Sequence, residues 1–178
     1  MSIQKTIERI KSGTVSRNEL DTLRANAESR RHLPGAQELL AAIQMAKPLN
    51  TYMVFMGFCP NAEFSNRLDL EWKKQGTCTF DYYEDEVQSA RFNSIMPGDI
   101  IVLKKREVFG VSMKVYGHGI VTSYAYDSEN RRILNVTWSD QNEVIETPLM
   151  GANSTVNIKD MSVINNEMPE QFFQWLQV

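Results

Sequence analysis

A chain of 178 residues, 42% hydrophobic and 23% charged, holds enough apolar material for one folded domain, or one domain with a small appendage. No apolar run approaches the roughly 20 residues that span a bilayer, and no apolar h-region opens the chain, so a cytoplasmic location without membrane contact is expected. The net charge of -3 divides unevenly: residues 1 to 47 carry eight Lys and Arg against five Asp and Glu, and residues 48 to 178 carry eleven against seventeen. An acidic body is a poor candidate for indiscriminate nucleic-acid binding, whose affinity comes mainly from neutralised phosphates; any such contact must use a local basic patch.

The first segment reads as three short helices. Ile3, Ile7 and Ile10 mark one apolar face, with Gly13 placed as a C-cap. Ser16-Arg17-Asn18-Glu19 is a capping box that starts a second helix with Leu20, Leu23 and Ala27 on its stripe. His32-Leu33-Pro34-Gly35 breaks that helix, Leu39, Leu40 and Ile43 face inward on the third, and Lys47-Pro48 stops it. Helices this short are marginal alone, so the segment must pack on itself, on the body or on a partner. Arg17, Arg24, Arg30 and Arg31 alternate with Glu19, Asp21 and Glu28, the pattern of a solvated mixed-sign face.

The texture changes after Pro48, which divides the chain into a helical module, 1–48, and a body, 49–178. Tyr52 to Met56 predicts a strand ended by Gly57 and Pro60. Asn61 to Gln75 predicts an irregular loop running into a short helix with Leu68, Leu70 and Trp72 as its apolar positions. Gly76 to Tyr83 predicts a second strand, on which Tyr82 and Tyr83 would point to opposite faces. Val87 to Phe92 suits a short helix, and Phe92 to Asp99 a turn built on Pro97 and Gly98, with Asp99 bonding local amides. Ile100 to Leu103, Tyr116 to Ser123 and Ile133 to Trp138 form an antiparallel meander, with Lys104-Lys105-Arg106 as a basic loop and Asp127 to Asn130 as a turn. Val144 to Glu146 and Val156 to Ile158 add two strands, and Met168 to Leu176 a final helix with Pro169 in its first turn. Six or seven short strands suggest a small barrel or strongly bent sheet, since closure removes exposed edges. The fold class is α+β, a bent barrel with flanking helices.

Catalytic and metal signatures are missing from the sequence. His32 and His118 are too few for an HNH nuclease, and there is no HExxH, Walker A loop or GxSxG elbow. Cys59 and Cys78 form no CxxC pair and read as free buried thiols. No metal and no cofactor are expected. The aromatic residues Trp72, Tyr82, Tyr83, Tyr116, Tyr124, Tyr126 and Trp138 are more suggestive, because aromatic faces stack on bases and nearby polar groups read the edge of a base flipped from a duplex. The glycines around His118 suit close approach of a backbone or a ligand. Lys104, Lys105, Arg106 and Lys114 are the candidate phosphate contacts.

The turn Ile95-Met96-Pro97-Gly98-Asp99, followed by Gly117-His118-Gly119-Ile120-Val121 and Val136-Thr137-Trp138, resembles the PUA-like superfamily and its EVE branch over roughly residues 50 to 176. The resemblance implies a small barrel that binds a modified base in double-stranded DNA, of the 5-methylcytosine or 5-hydroxymethylcytosine type, by flipping it into an aromatic pocket. It also implies a place in modification-dependent restriction, with a separate nuclease or motor as partner, because this chain lacks the nuclease. The pocket expected on that basis comprises Trp72, Tyr82 or Tyr83, Tyr116 and Trp138 for stacking, with His118 and Asp140 on the base edge. Two rival readings stand beside this non-enzymatic reader: a protein-interaction adaptor working through the helical module, and an RNA-binding or RNA-cleaving PUA-like protein.

Overall fold

The computed structural model describes residues 2 to 59 and 64 to 177. Pro60 and Asn61 to Glu63, where the sequence ends a strand and opens a loop, lie outside the described residues. Among the described residues seven helices accompany one curled, seven-stranded mixed sheet, an α+β half-barrel compatible with a small bent barrel.

The helical module forms as its capping signals dictate. Helix α1 (Ile3–Lys11), α2 (Arg17–Ser29) and α3 (Ala36–Gln44) begin at Ser2, Ser16 and Gly35, and the Ser16 hydroxyl accepts from the Glu19 amide at 3.3 Å. Ile7, Ile10, Leu20, Ala27, Leu39 and Ile43 make their common core. One further residue of that core, Met96, comes from the turn before the third strand.

The sheet runs β2-β5-β4-β3-β1-β7, with β6 on the outer half of β4. Its strands are β1 (Tyr52–Gly57), β2 (Thr77–Cys78), β3 (Ile100–Val108), β4 (Ser112–Tyr126), β5 (Arg132–Trp138), β6 (Ile145–Pro148) and β7 (Val156–Asp160). Strand β1 lies parallel to β3 and antiparallel to β7, so a crossover carrying α4 (Leu68–Gln75) and α5 (Glu86–Asn93) joins β1 to β3. Alternation on buried strands sorts side chains to two faces. Val54, Met56, Ile101 and Leu103 join Phe80, Phe92 and Leu134 in the core on the α4 and α5 side. Met53, Phe55 and Val102 face the opposite core, covered by α6 (Met161–Glu167) and α7 (Glu170–Leu176), where Phe172 stacks on Trp175 at 5.8 Å.

Several expectations are corrected. The second strand pairs for two residues because the chain turns away after Cys78, towards the turn closed by the Asp85 amide on the Tyr82 carbonyl; Tyr82 and Tyr83 therefore do not alternate on a strand. Leu70 faces solvent, since α4 buries Asp69 and Trp72 instead. Lys104, Lys105 and Arg106 are strand residues of β3, not a loop, and Lys114 lies opposite Lys105 on β4. Helix α6, absent from the sequence reading, is started by Asp160, whose carboxylate accepts from the Ser162 amide, and Pro169 caps α7 from outside its first turn.

The joint between module and sheet is polar and buried. Asp99 accepts from Arg17 Nη2 at 2.6 Å and from the Tyr52 and Met96 amides, each at 2.8 Å. Its side chain is wholly buried, and Arg17 also donates to the Ser94 carbonyl at 2.7 Å and lies 4.3 Å over the Tyr52 ring. The turn former read from the sequence is thus also the clasp between α2, β1 and β3.

Candidate functional site

Helix α4 and the segment after β2 enclose a cavity of about 170 Å³ against the end of β1. Trp72 reaches it from the buried face of α4, and its indole Nε1 donates to Thr79 Oγ1 at 3.0 Å. Phe80 is anchored in the core by stacking on Phe92 at 5.5 Å, with the rings of Tyr82 and Tyr83 each 5.8 Å from its own. That anchor leaves the half-exposed Tyr82 ring at the mouth, beside the exposed carboxylate of Asp81. Asn66, Thr79, Asp81 and Thr155 supply polar groups, and Met56 and Leu68 supply an apolar wall.

Cationic groups stand close by. Arg67, next to Asn66 and Leu68 in the lining, is clamped by Asp69 through Nε at 3.0 Å and Nη2 at 2.5 Å, and that partnership raises its pKa. Its guanidinium lies 5.4 Å from the Phe58 ring centroid and 5.7 Å from those of Phe64 and Tyr116. Lys105 Nζ sits 4.0 Å over Phe64. Such stacked cations keep their charge while their planar partners exclude water on one side.

Of the residues expected to form a base pocket, the structure brings Trp72 and Tyr82 together in this cavity. Tyr83 packs beside it against Phe80, with Arg131 5.7 Å from its ring. Tyr116 is the bulged residue of β4, between Gly117 and Val115 in the register with β3, and its ring fits Phe58 at 4.9 Å. Trp138 is structural: its Nε1 donates to the Trp72 and Thr77 carbonyls at 3.0 and 3.2 Å, and its ring closes on Gly119. His118 lies on the other face of the sheet, 5.0 Å from the Trp175 ring. Burial and then the charge of Lys73 lower its pKa, so it is neutral near pH 7. Asp140 is exposed in the segment after β5.

The phosphate candidates also separate. Lys105 lies on the Phe64 side, Arg106 covers the exposed Phe109 ring at 5.0 Å, and Lys114 pairs with Glu107 at 3.1 Å. Lys104 is withdrawn from solvent: its ammonium donates to the Ala152 carbonyl, to the Ser154 carbonyl at 2.7 Å and to Asn157 Oδ1 at 3.1 Å. Burial lowers its pKa from 10.5 to about 8. Because the folded value lies below the unfolded one, stability owed to Lys104 is complete above 10.5 and is lost as pH falls through about 8. Urea denaturation at about pH 7 and about pH 10 should therefore show the native chain gaining stability relative to Lys104→Met; parallel behaviour of the two proteins would contradict this.

Sequence reasoning missed Asn66, Thr79, Phe80, Asp81 and Thr155. The run Thr79 to Tyr83 was read for its tyrosines, yet its mix of aromatic and polar residues was the available signal. Thr155 and Asn66 carry no local signal, being placed by the pairing of β1 with β7 and by the entry to α4.

Two larger clefts belong to the helical module. One of about 850 Å³ lies between α1 and α3, lined by Ile7, Ile10, Ala42 and the exposed Met45. Another of about 290 Å³ lies at the seam between the module and β4. Comparisons with protein-family models, curated proteins and solved structures find no match for the chain. Among the described residues no helix is long and apolar enough to cross a membrane, and no group of three His, Cys, Asp or Glu side chains is gathered for a metal ion.

Proposed function

We propose that the sheet is a PUA-like barrel of the EVE type and that the chain is a non-catalytic reader of a modified cytosine in duplex DNA. The observation that carries this reading is the cavity between α4 and β1. At about 170 Å³ it falls below the roughly 300–1,000 Å³ of sites that enclose drug-sized ligands, and suits a single flat heterocycle. Tyr82 offers an exposed face for stacking, and Asp81 can accept from the exocyclic amine of cytosine, the donor that an acidic side chain reads. Met56 and Leu68 provide an apolar wall for a substituent on the ring. Arg67, beside the lining residues Asn66 and Leu68, and Lys105, over the Phe64 ring, are the proposed phosphate contacts of a flipped nucleotide. A separate nuclease or motor would act on the DNA so marked.

Duplexes that differ only in carrying cytosine, 5-methylcytosine or 5-hydroxymethylcytosine test the reading. One modified duplex should bind at least about tenfold tighter than the plain one, and Tyr82→Ala or Asp81→Asn should remove that preference, as stacking alone contributes about 1–3 kcal/mol per base. Lys105→Ala should weaken all duplexes alike and lessen the salt dependence. Equal binding of all three duplexes, or a preference that survives Tyr82→Ala, would reject the pocket. Single-stranded RNA belongs in the same series, since tighter binding there would favour the RNA reading.

A further inference from the structure

The seam between the helical module and β4 holds a second cleft, which the proposed base reading does not use. We infer that the cleft of about 290 Å³ bounded by Arg24, Arg31, Gln37, Gln44, Tyr124 and Tyr126 binds a phosphate group attached to a flat ring, as in a 5′-mononucleotide.

Charge is the first argument. Arg24 and Arg31 line the cleft, and Arg132 lies directly behind it, its guanidinium 3.7 Å from the Tyr124 ring centroid. Arg132 is buried and donates to the carbonyls of Asn93 and Ile95, and it makes no ion pair among the described residues. Arg31 is exposed and makes no ion pair among the described residues, whereas Arg24 Nη1 meets Asp21 at a loose 3.5 Å. Against these three cations stand Asp21 and one lining carboxylate, Glu28. The carbonyl end of α2 and the amide end of α3 both approach the cleft, where their opposite partial charges offset, so the side chains decide its sign. A phosphate monoester carries about -1.5 to -2 at neutral pH, matching two guanidiniums as a single carboxylate does not.

Unsatisfied donors are the second argument. Arg24 Nε and Nη2 and Arg132 Nε are buried without a hydrogen-bond partner. Native structures rarely leave such groups unpaired, because each costs the desolvation of a charged donor. An oxyanion seated in the cleft, with a small rotation of Arg24, would relieve the Arg24 pair. Ring recognition is the third argument. Tyr124 and Tyr126 meet edge to face at 6.0 Å, and Tyr126 is half exposed, which leaves a free aromatic face at the rim. Gln37 and Gln44 lie along the facing side of α3; Gln44 Nε2 already donates to the Tyr124 carbonyl, tying the module to β4 at the cleft wall.

The site joins two parts of the molecule, so a ligand there binds only when the helices are docked and in turn stabilises the docking. The phosphate could come from a free nucleotide or from a nucleic-acid strand, and the experiment separates the sources. Calorimetric titration of the full chain would use inorganic phosphate, each of the four 5′-ribomononucleotides and a short plain DNA duplex. At least one mononucleotide should bind about tenfold or more tighter than inorganic phosphate. Arg31→Gln, at an exposed position without an ion pair among the described residues, should weaken mononucleotide and inorganic phosphate about tenfold, and Tyr126→Ala should reduce the nucleotide to the affinity of inorganic phosphate. Tyr82→Ala, in the other cavity, should leave mononucleotide and phosphate binding at this cleft as it is, so failure of the base reader and failure of this site are distinguishable. Duplex binding that Arg31→Gln weakens and a mononucleotide displaces would assign the phosphate to a strand. Absence of mononucleotide binding, or affinities untouched by Arg31→Gln, would overturn the inference.

Discussion

Asp99→Ala should destabilise the protein by about 3–5 kcal/mol, the usual consequence of stranding one member of a buried ion pair. Two losses combine. Arg17, a residue 9% exposed, loses its carboxylate partner while its guanidinium remains fixed by the Ser94 carbonyl, and the Tyr52 and Met96 amides lose their acceptor. Asp99→Asn keeps an acceptor for one amide and should cost less. Arg17→Met should behave differently with pH. Burial already pushes the Asp99 carboxyl up, and the charge and hydrogen bond of Arg17 oppose that push, so without Arg17 the carboxyl takes a proton at higher pH and the penalty shrinks in acid. Urea denaturation followed by tryptophan fluorescence measures all three variants. A cost below about 1 kcal/mol for Asp99→Ala would mean that the clasp does not hold the helices to the sheet.

Gly119→Ala should cost about 3 kcal/mol, at the upper end of the ordinary penalty for overpacking. A Cβ there would stand 2.6 Å from Val136 Cγ1 and 2.8 Å from both the Thr137 carbonyl oxygen and Trp138 Cε3. None of the three can retreat cheaply. Thr137 is paired backbone in β5, opposite Ile120, and the Trp138 ring is held by its two hydrogen bonds to carbonyls of α4 and β2. Gly110, at the tip of the β3–β4 hairpin, is the matched control: an added Cβ would meet no atom within 4 Å, and its φ of +74° imposes about 1 kcal/mol of strain. Thermal midpoints for the two variants should therefore separate clearly. Similar small shifts would show that β4 and β5 can part at this point without loss.

The helices were legible because their signals are local: Ser16 caps α2, Gly35 precedes α3, and the isoleucine spacing of α1 finds the core. The centre of the sheet was legible for a similar reason, since Val54 to Met56 and Ile101 to Leu103 are continuous apolar runs. Lys104-Lys105-Arg106 misled because charge ordinarily marks a loop. The strand continues through it, and Lys104 is received by the Ala152 and Ser154 carbonyls and Asn157, partners about 50 residues away that no local window contains. The glycines around His118 were read as room for a ligand, yet Gly117 makes room for Lys73 and Gly119 for Trp138. Tyr82 and Tyr83 come from the right stretch, but the shortness of β2 removes their alternation: both rings contact Phe80, and of the two Tyr82 lines the cavity. Register bulges at Tyr116 and Thr122 decide which face each later residue of β4 meets, and a bulge leaves no mark that sequence periodicity can register.

The position of β1 also sets the order in which the chain can mature on the ribosome. Its two edges are covered by β3 and β7, whose pairing residues run from Ile100 to Lys104 and from Val156 to Asp160. At about 5–20 residues per second, Met53-Val54-Phe55-Met56 emerges and then waits roughly 5–20 s before its second neighbour has been translated. The helices that precede β1 wait as well, because Met96 completes their core. A fragment that ends before β7 therefore leaves one edge of β1 bare, and a nascent chain stalled there presents an adhesive, unpaired apolar strand to chaperones and to other copies of itself.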